Sequence, residues 1–435
     1  MCDTMVALGD QTVDGAVLFG KNSDRERNEA QYLEAVPRGR HAKGAKVKLT
    51  HIGIEQAPET HAVLLSKPFW IWGAEIGANE HGVVIGNEAV FARRLPAQKP
   101  GIIGMDYLRL GLERAASADE ALDVMTRLLA EHGQDGNCGH LTRRTYHNSY
   151  LIADRSGAWV LETVGRDFVA ERVQGVRSIS NAFSIGHRYD RISDDLKAQV
   201  GDRPVASSIT NPQRDALSQG HQRCMRSASL LGNRRGRLDL PAILAALRDH
   251  GPAEARWQPD QVKTKTICMH AAWGTSGGQT TGAMASWLKP GRRPVHWVTG
   301  SAAPCLSVFK PVFVDLGLPV EEKKPTGKYD AQTRWWRHEA LHRAVLEDYA
   351  PRAASLAAER DRLEAEFVHR IAKIAEADAA TRRDVVAACW EEADDAEARW
   401  RMATAALPIA EKPAMAYRRA WSKFNRLAGY APGAA

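Results

Sequence analysis

Nine short β-branched or apolar runs recur through the first three hundred residues: TMVAL, AVLFG, HAVLLS, GVVIGNEAV, SYLIAD, AWVLETV, DFVAERV, RSISNAF and VHWVTG. Gly, Asp and Asn bound them, which is the punctuation of strands. Several are nearly continuously apolar, as strands covered on both faces are. Helical stretches fall between them. One covers 105–110, one opens on the capping box Ser117-Ala-Asp-Glu120 and stops at Gly133, and a short one runs from Asp239-Leu240-Pro241 to Gly251. The mixed order is not a strict βαβ repeat, so the expected class is α+β, in layers.

Composition changes near residue 325. The stretch EEKKPTGKYD reads as a linker, and from Arg352 to Leu407 there is no Gly or Pro. Leu356, Leu363, Phe367, Ile371 and Ile374 fall on one helical face. The expected organisation is a domain over 2–325 followed by a helical extension over 330–435. The extension either packs on that domain or lies between subunits of a homo-oligomer; its apolar repeat is too short for a long coiled coil.

The net charge of +7 comes from Lys and Arg dispersed among Asp and Glu, which argues against a nucleic-acid partner. No apolar run reaches membrane-spanning length and residues 1–20 lack a signal pattern, so no membrane partner and a cytoplasmic location are expected. The six cysteines contain no CxxC pair and are expected as free thiols. The closest metal-like spacing, Cys268-Met-His270, has no second ligand pair along the chain, which argues against a structural zinc.

The N-terminus carries the most informative local pattern. Cys2 to Leu8 has strand character, GDQTVDG is turn-like, and Ala16 to Phe19 returns as a strand. Antiparallel pairing about a turn near residue 12 brings Lys21 and Asp24 within about two residues of Cys2. Cysteine is small enough for methionine aminopeptidase to remove Met1, and Cys2 would then supply a thiol and an α-amine base in one residue. A neighbouring lysine favours the thiolate and an aspartate can hold the ammonium. Read by itself, Cys2 could equally be a small buried hydrophobe.

Further blocks accompany this pattern: FGKNSDR at 19–25, PFWIWGAEIGANEHGVVIGNEAV at 68–90, YHNSYLIADRSGAWVLET at 146–163, SISNAF at 178–183 and TGSAAPCLSVFKPVF at 299–313. With Cys-Asp-Thr at 2–4, they resemble, in the same order, the secernins and related cysteine-type dipeptidases of the N-terminal-nucleophile hydrolase superfamily. The resemblance implies a four-layer αββα sandwich and Cys2 as nucleophile. It maps the basic and acidic residues of the following strand onto Lys21 and Asp24, with lysine where the bile-salt hydrolases and penicillin V acylases have arginine. It maps oxyanion-hole asparagines onto Asn87 and Asn181, and an arginine onto Arg223, with Arg226 the competing choice. It implies hydrolysis of a small peptide or amide substrate, and no metal or organic cofactor. A non-peptide amidase or acyltransferase, or a non-catalytic interaction protein, are the other readings.

Other candidates read differently. His81 lies in the turn Asn79-Glu80-His81-Gly82. Trp70 and Trp72 belong to the core or a pocket wall, and Cys305 sits in an apolar run. The Gly-rich 274–278 lacks the Lys-Ser/Thr ending of a phosphate loop. Nothing local positions Thr280 and Thr281.

Overall fold

Alternation within the apolar runs sets the layering. In β11 (His147–Asp154), Tyr150 and Ile152 join one hydrophobic cluster while Leu151 and Ala153 join another. In β12 (Gly157–Val164), Trp159 and Leu161 divide from Ala158 and Val160 in the same way. Successive side chains point to opposite faces, so these strands are apolar because both faces are covered.

The computed structural model describes residues 1–252, 257–261, 266–272 and 278–432. One six-stranded sheet has the order β14 (Val176–Ser180), β1 (Cys2–Ala7), β2 (Val17–Glu26), β16 (Gly278–Leu288), β17 (Val295–Val298), β18 (Lys310–Val312). The eight-stranded sheet has the order β15 (Arg191–Ile192), β13 (Asp167–Arg172), β12, β11, β10 (Val84–Val90), β9 (Ile76–Asn79), β8 (Val63–Pro68), β3 (Gln31–Val36). Neighbours in both are antiparallel. Two small ribbons pair β4 (Gly39–Arg40) with β7 (Glu59–Thr60) and β5 (Lys46–Lys48) with β6 (Gly53–Glu55).

The two large sheets pack face to face, with β1 against β10 and β11. Helices α1 (Gly104–Arg114) and α2 (Ala118–His132) cover the outside of the eight-stranded sheet. After three short helices, α3 (Asp194–Val200), α4 (Val205–Ile209) and α5 (Pro212–Ser218), helices α6 (Gly220–Gly232) and α7 (Leu240–Leu247) cover the six-stranded one. The result is the expected α+β, αββα four-layer sandwich. The Ser117 side chain accepts the Glu120 N–H, and α2 ends at Gly133 with φ 72°. Helix α7 ends at Leu247, short of the expected Gly251, because the chain turns so that the Asp249 carbonyl accepts the Cys268 N–H.

The 11-residue β16 is absent from the sequence-based strand set. Its GQTTGAMASWL is rich in Gly and Ala, which strands ordinarily avoid. Small residues are required there: a Cβ on Gly282 would lie 2.7 Å from Gln31 Oε1. The 274–277 part of the Gly-rich run lies outside the described residues.

The C-terminal region is helical, as expected. It comprises α8 (Arg334–Val345), α9 (Tyr349–Ile374), α10 (Ala379–Ala406) and α11 (Met415–Ala428). The Gly- and Pro-free stretch splits at Asp378, whose carboxylate accepts the Thr381 N–H as an N-cap. Helices α9 and α10 pack on β18, and Leu356, Phe367 and Trp390 share one hydrophobic cluster with Phe19 and Trp297.

Candidate active site

The β1–β2 register pairs Cys2 with Ser23 and Thr4 with Lys21. On its other side β1 pairs with β14, Asp3 opposite Ser180, so the N-terminal strand is held between two partners. β16 then pairs with β2, and a register shift between Thr280 and Gly282 leaves Thr280 opposite Asp24. The Thr280 hydroxyl donates to Asp24 Oδ1 at 2.7 Å, which gives Thr280 the local role its sequence did not reveal.

Cys2 is 3% exposed and lies at a cavity of about 810 Å³. Asp24, Glu75, Tyr146 and Asn181 also line it, as do Arg25, Arg27, Arg144 and Arg214. This is a size that takes a small molecule. The Cys2 N–H donates to Asn181 Oδ1 at 2.7 Å, and the Asp24 N–H donates to Cys2 Sγ at 3.4 Å. The Met1 ammonium donates to the Asp24 carbonyl at 2.9 Å. Burial pushes the Cys2 thiol up to about 11, against the pull of Lys21 and the terminal ammonium, with Glu75 and Asp24 adding to the rise. Burial likewise pushes Asp24 up to about 7, against the terminal ammonium and Arg223.

Lys21 is fully buried and does not point into the cavity mouth. Its Nζ donates to the Asn87 carbonyl at 2.7 Å and the Asn22 carbonyl at 3.3 Å, and pairs with Glu88 at 3.3 Å. Burial alone would lower its pKa, but the charges of Cys2, Glu88, Glu75 and Asp24 outweigh it and raise it. Gly86 makes room: a Cβ there would overlap Lys21 Cδ. The glycine in Ile-Gly-Asn-Glu thus belongs to the lysine's channel.

The two asparagines differ. Asn181 accepts from Cys2 N–H and from Arg223, while its Nδ2 donates to the Ala89 carbonyl at 2.9 Å. Asn87 is buried behind the cavity, and its Nδ2 donates to Asn148 Oδ1 at 2.8 Å. Asn148 in turn donates to Gln134 at 3.1 Å. Arg223, from α6, is fully buried and donates to Asp3 at 3.0 and 3.2 Å, to Asn181 Oδ1 at 2.6 Å and to Ser180 Oγ at 3.1 Å. Gly220 lets α6 approach, since a Cβ there would lie 2.6 Å from the Asn181 carbonyl carbon. Arg226 instead forms a two-point pair with Asp249, at 3.0 and 2.6 Å, so of the two arginines Arg223 is the one beside Cys2.

Sequence reading missed Glu75 and the groups around it. Glu75 is buried, its Oε2 3.7 Å from Cys2 Sγ, and Arg25 pairs with its other oxygen at 3.2 Å. Arg25 also reaches Glu29 at 2.6 Å and the Tyr146 hydroxyl at 3.1 Å. A lone carboxylate inside the apolar, Gly-punctuated WGAEIG was the available signal. Trp70 donates to Glu29 Oε1 at 2.7 Å, while Trp72 stacks under Arg109 at 4.2 Å. His81 lies in the expected turn: Asn79 Oδ1 accepts from His81 and Val83, and Gly82 has φ 87°. A buried group of His250, Cys268, His270 and Cys305 has metal-ligand character and lies apart from the cavity lining.

The geometry supplies a thiol, an adjacent backbone nitrogen held by an amide oxygen, and a cavity that Cys2 lines. If Cys2 N were a free amine, nucleophile and base would sit on one residue. No family model matches the chain. Among solved structures, it is similar to the C2A mutant of conjugated bile acid hydrolase from Clostridium perfringens, at 16% identity and a TM-score of 0.42, over 72% of this chain and 92% of that one. The R18L variant of the same hydrolase matches at 17% identity and a TM-score of 0.43, over the same shares. The Caenorhabditis elegans ortholog of N-acylethanolamine-hydrolyzing acid amidase matches at 10% identity and a TM-score of 0.33, over 65% of this chain and 92% of that one. At this level of similarity the roles of individual residues do not transfer.

Proposed function

We propose that this chain is a hydrolase of C–N amide bonds, dipeptidase-like in its substrate, with Cys2 as an N-terminal nucleophile. The observation that carries this is the position of Cys2: the residue lines the cavity, and its nitrogen is already held by Asn181 Oδ1 at 2.7 Å. Removal of Met1, the work of methionine aminopeptidase in a cytoplasmic setting, turns that nitrogen into an amine of near-neutral pKa.

The chemistry then runs on this chain's own groups. The amine takes the thiol proton, and the sulfur attacks the carbonyl carbon. Preorganised N–H donors stabilise the oxyanion, each worth about 2.7–4 kcal/mol in comparable sites. The second Nδ2 hydrogen of Asn181, which lines the cavity, is the donor in this reading, while Asn87 stands behind it on Asn148. The ammonium returns its proton to the leaving nitrogen, and the amine then activates water to cleave the thioester. Asp24, with Thr280 on one oxygen, holds the ammonium, and Lys21 supplies positive charge behind the sulfur. Arg223 fixes Asn181 and Asp3. The lining is charged with both signs, Arg25 paired with Glu29 at 2.6 Å and Arg144 with Glu26 at 3.5 Å beside Arg214. By exchange of partners it suits the two charged ends of a dipeptide better than a non-peptide amide of apolar character.

Mass measurement of the purified N-terminus is the first test, with loss of Met1 expected. A panel of dipeptides assayed with wild type, Cys2→Ser and Cys2→Ala is the second. Turnover should fall by about a thousandfold or more in the alanine variant. Retained Met1 or unchanged turnover in Cys2→Ala would overturn the mechanism. Hydrolysis of acyl amides but not dipeptides would replace the substrate class alone.

A further inference from the structure

Cys268 and His270 are two residues apart in sequence, and the fold brings His250, just past α7, and Cys305, from the loop before β18, against them. The four ligand atoms lie within 4.8 Å of one another and all four residues are buried. The ligand pair that the spacing around Cys268 and His270 lacks along the chain is therefore supplied across it. We propose that these four side chains form a closed, structural Cys₂His₂ site for a divalent zinc ion, separate from the Cys2 cavity.

The distances carry this. Zinc takes nitrogen at about 2.0–2.1 Å and sulfur at about 2.3 Å, and tetrahedral placement then sets nitrogens about 3.3 Å apart and nitrogen from sulfur about 3.5 Å. His250 Nε2 lies 3.3 Å from His270 Nε2. His270 Nε2 lies 3.6 Å from Cys268 Sγ and 3.3 Å from Cys305 Sγ. These are three edges of such a tetrahedron, the ones that meet at His270 Nε2. They are a poor hydrogen-bond pattern, because one imidazole nitrogen has either one proton or one lone pair in the ring plane and here meets three partners.

The surroundings fix the required tautomer. His342 Nδ1 faces Glu339 Oε1 at 3.0 Å, so it carries a proton and donates it. With the His342 ring neutral, its Nε2 is an acceptor and takes the Nδ1 proton of His270 at 3.1 Å. That leaves His270 Nε2 with its lone pair aimed at the two sulfurs and His250. A carboxylate-to-histidine relay of this kind is what orients metal-ligating imidazoles. The Tyr349 hydroxyl donates to Cys305 Sγ at 3.5 Å, a suitable partner for a thiolate.

Binding releases the two thiol protons to solvent, and the two thiolates neutralise the ion, so the buried site is uncharged overall. Four protein ligands leave no open position, and the donor set favours zinc over hard cations such as magnesium. The site would pin α8 and α9, through His342 and Tyr349, to the 266–272 segment. That segment is bonded to the Asp24 partner, Thr280, whose Oγ1 accepts the Met269 N–H at 3.0 Å.

The test uses the full-length protein. Metal analysis after dialysis should find one zinc per chain. The reduced, metal-stripped chain should take up one cobalt(II) with the near-ultraviolet thiolate charge-transfer band and intense visible bands of a tetrahedral site. Cys268→Ser and Cys305→Ser should each lose that spectrum and at least tenfold in zinc affinity, while Cys224→Ser keeps both. Circular dichroism reports whether a variant has folded, and the wild-type cobalt spectrum does not depend on any variant. A reduced wild type with neither retained zinc nor tetrahedral cobalt bands would overturn the proposal, as would equal loss in Cys224→Ser. A Cys268–Cys305 disulfide in place of metal would overturn it too.

Discussion

Burial holds the proton on the Cys2 thiol, and the negative charge of Glu75, with Oε2 3.7 Å from the sulfur, adds to that hold. Glu75→Gln removes that charge and leaves Arg25 less neutralised, and both changes lower the thiol pKa. Alkylation of Cys2 by iodoacetamide at pH 8 should speed up about three- to tenfold in this variant. Lys21→Met acts in the opposite sense on the thiol. It also leaves Glu88 buried without its cation, which should destabilise the fold by about 3–5 kcal/mol in urea unfolding. Lys21 and Asp24 were legible beside Cys2 because a hairpin register is short-range arithmetic. Glu75 was not, because its approach depends on how β9 meets a strand 70 residues earlier. Nor could sequence reveal that the Asn87 amide is engaged by Asn148, since that bond crosses from β10 to β11.

At the scale of elements, β17 and β11 each bury a histidine in its neutral form. Burial pushes His296 down to about 3 and, with nearby arginines, His147 down to about 4. In the unfolded chain both protonate near 6.5. Unfolded chains therefore bind more protons between pH 6.5 and the folded values, and stability falls as pH drops through that window. Each histidine should contribute up to about 1.4 kcal/mol per pH unit below 6.5. Thermal melts of His296→Gln should show a shallower acid slope than wild type between pH 4.5 and 6.5. Helix breaks behave differently. Asp378 separates α9 from α10 by capping, and Asp378→Ala should lower the thermal midpoint with no change at the Cys2 cavity. The strands were legible wherever large β-branched residues alternate. β16 was hidden because its small residues answer to crowding from Gln31 and Ser66, which no local pattern announces.

For the molecule as a whole, the C-terminal helices complete the core of the layered region. Trp390 donates to the Pro311 carbonyl at 2.8 Å, Trp335 to the Thr281 carbonyl at 3.0 Å, and Arg248 pairs with Glu364 at 2.8 Å. Truncation after residue 325 should therefore yield insoluble or molten material, read by loss of near-ultraviolet circular dichroism, and not an active smaller enzyme. Composition marked that region as helical, but the bonds joining it to β16 and β18 span tens to a hundred residues and left no trace in either segment. The position of β1 has a practical consequence for anyone producing the protein. Because Cys2 lies between β14 and β2 and Met1 lines the cavity with it, a purification tag fused ahead of them starts out at the cavity. If Cys2 acts as we propose, such a fusion fills the space a substrate needs and keeps the amine acylated, so an inactive preparation would report the tag and not the protein. A C-terminal tag, or a leader cut to leave cysteine first, makes the assay a fair one, and the cut itself becomes a switch that can be timed.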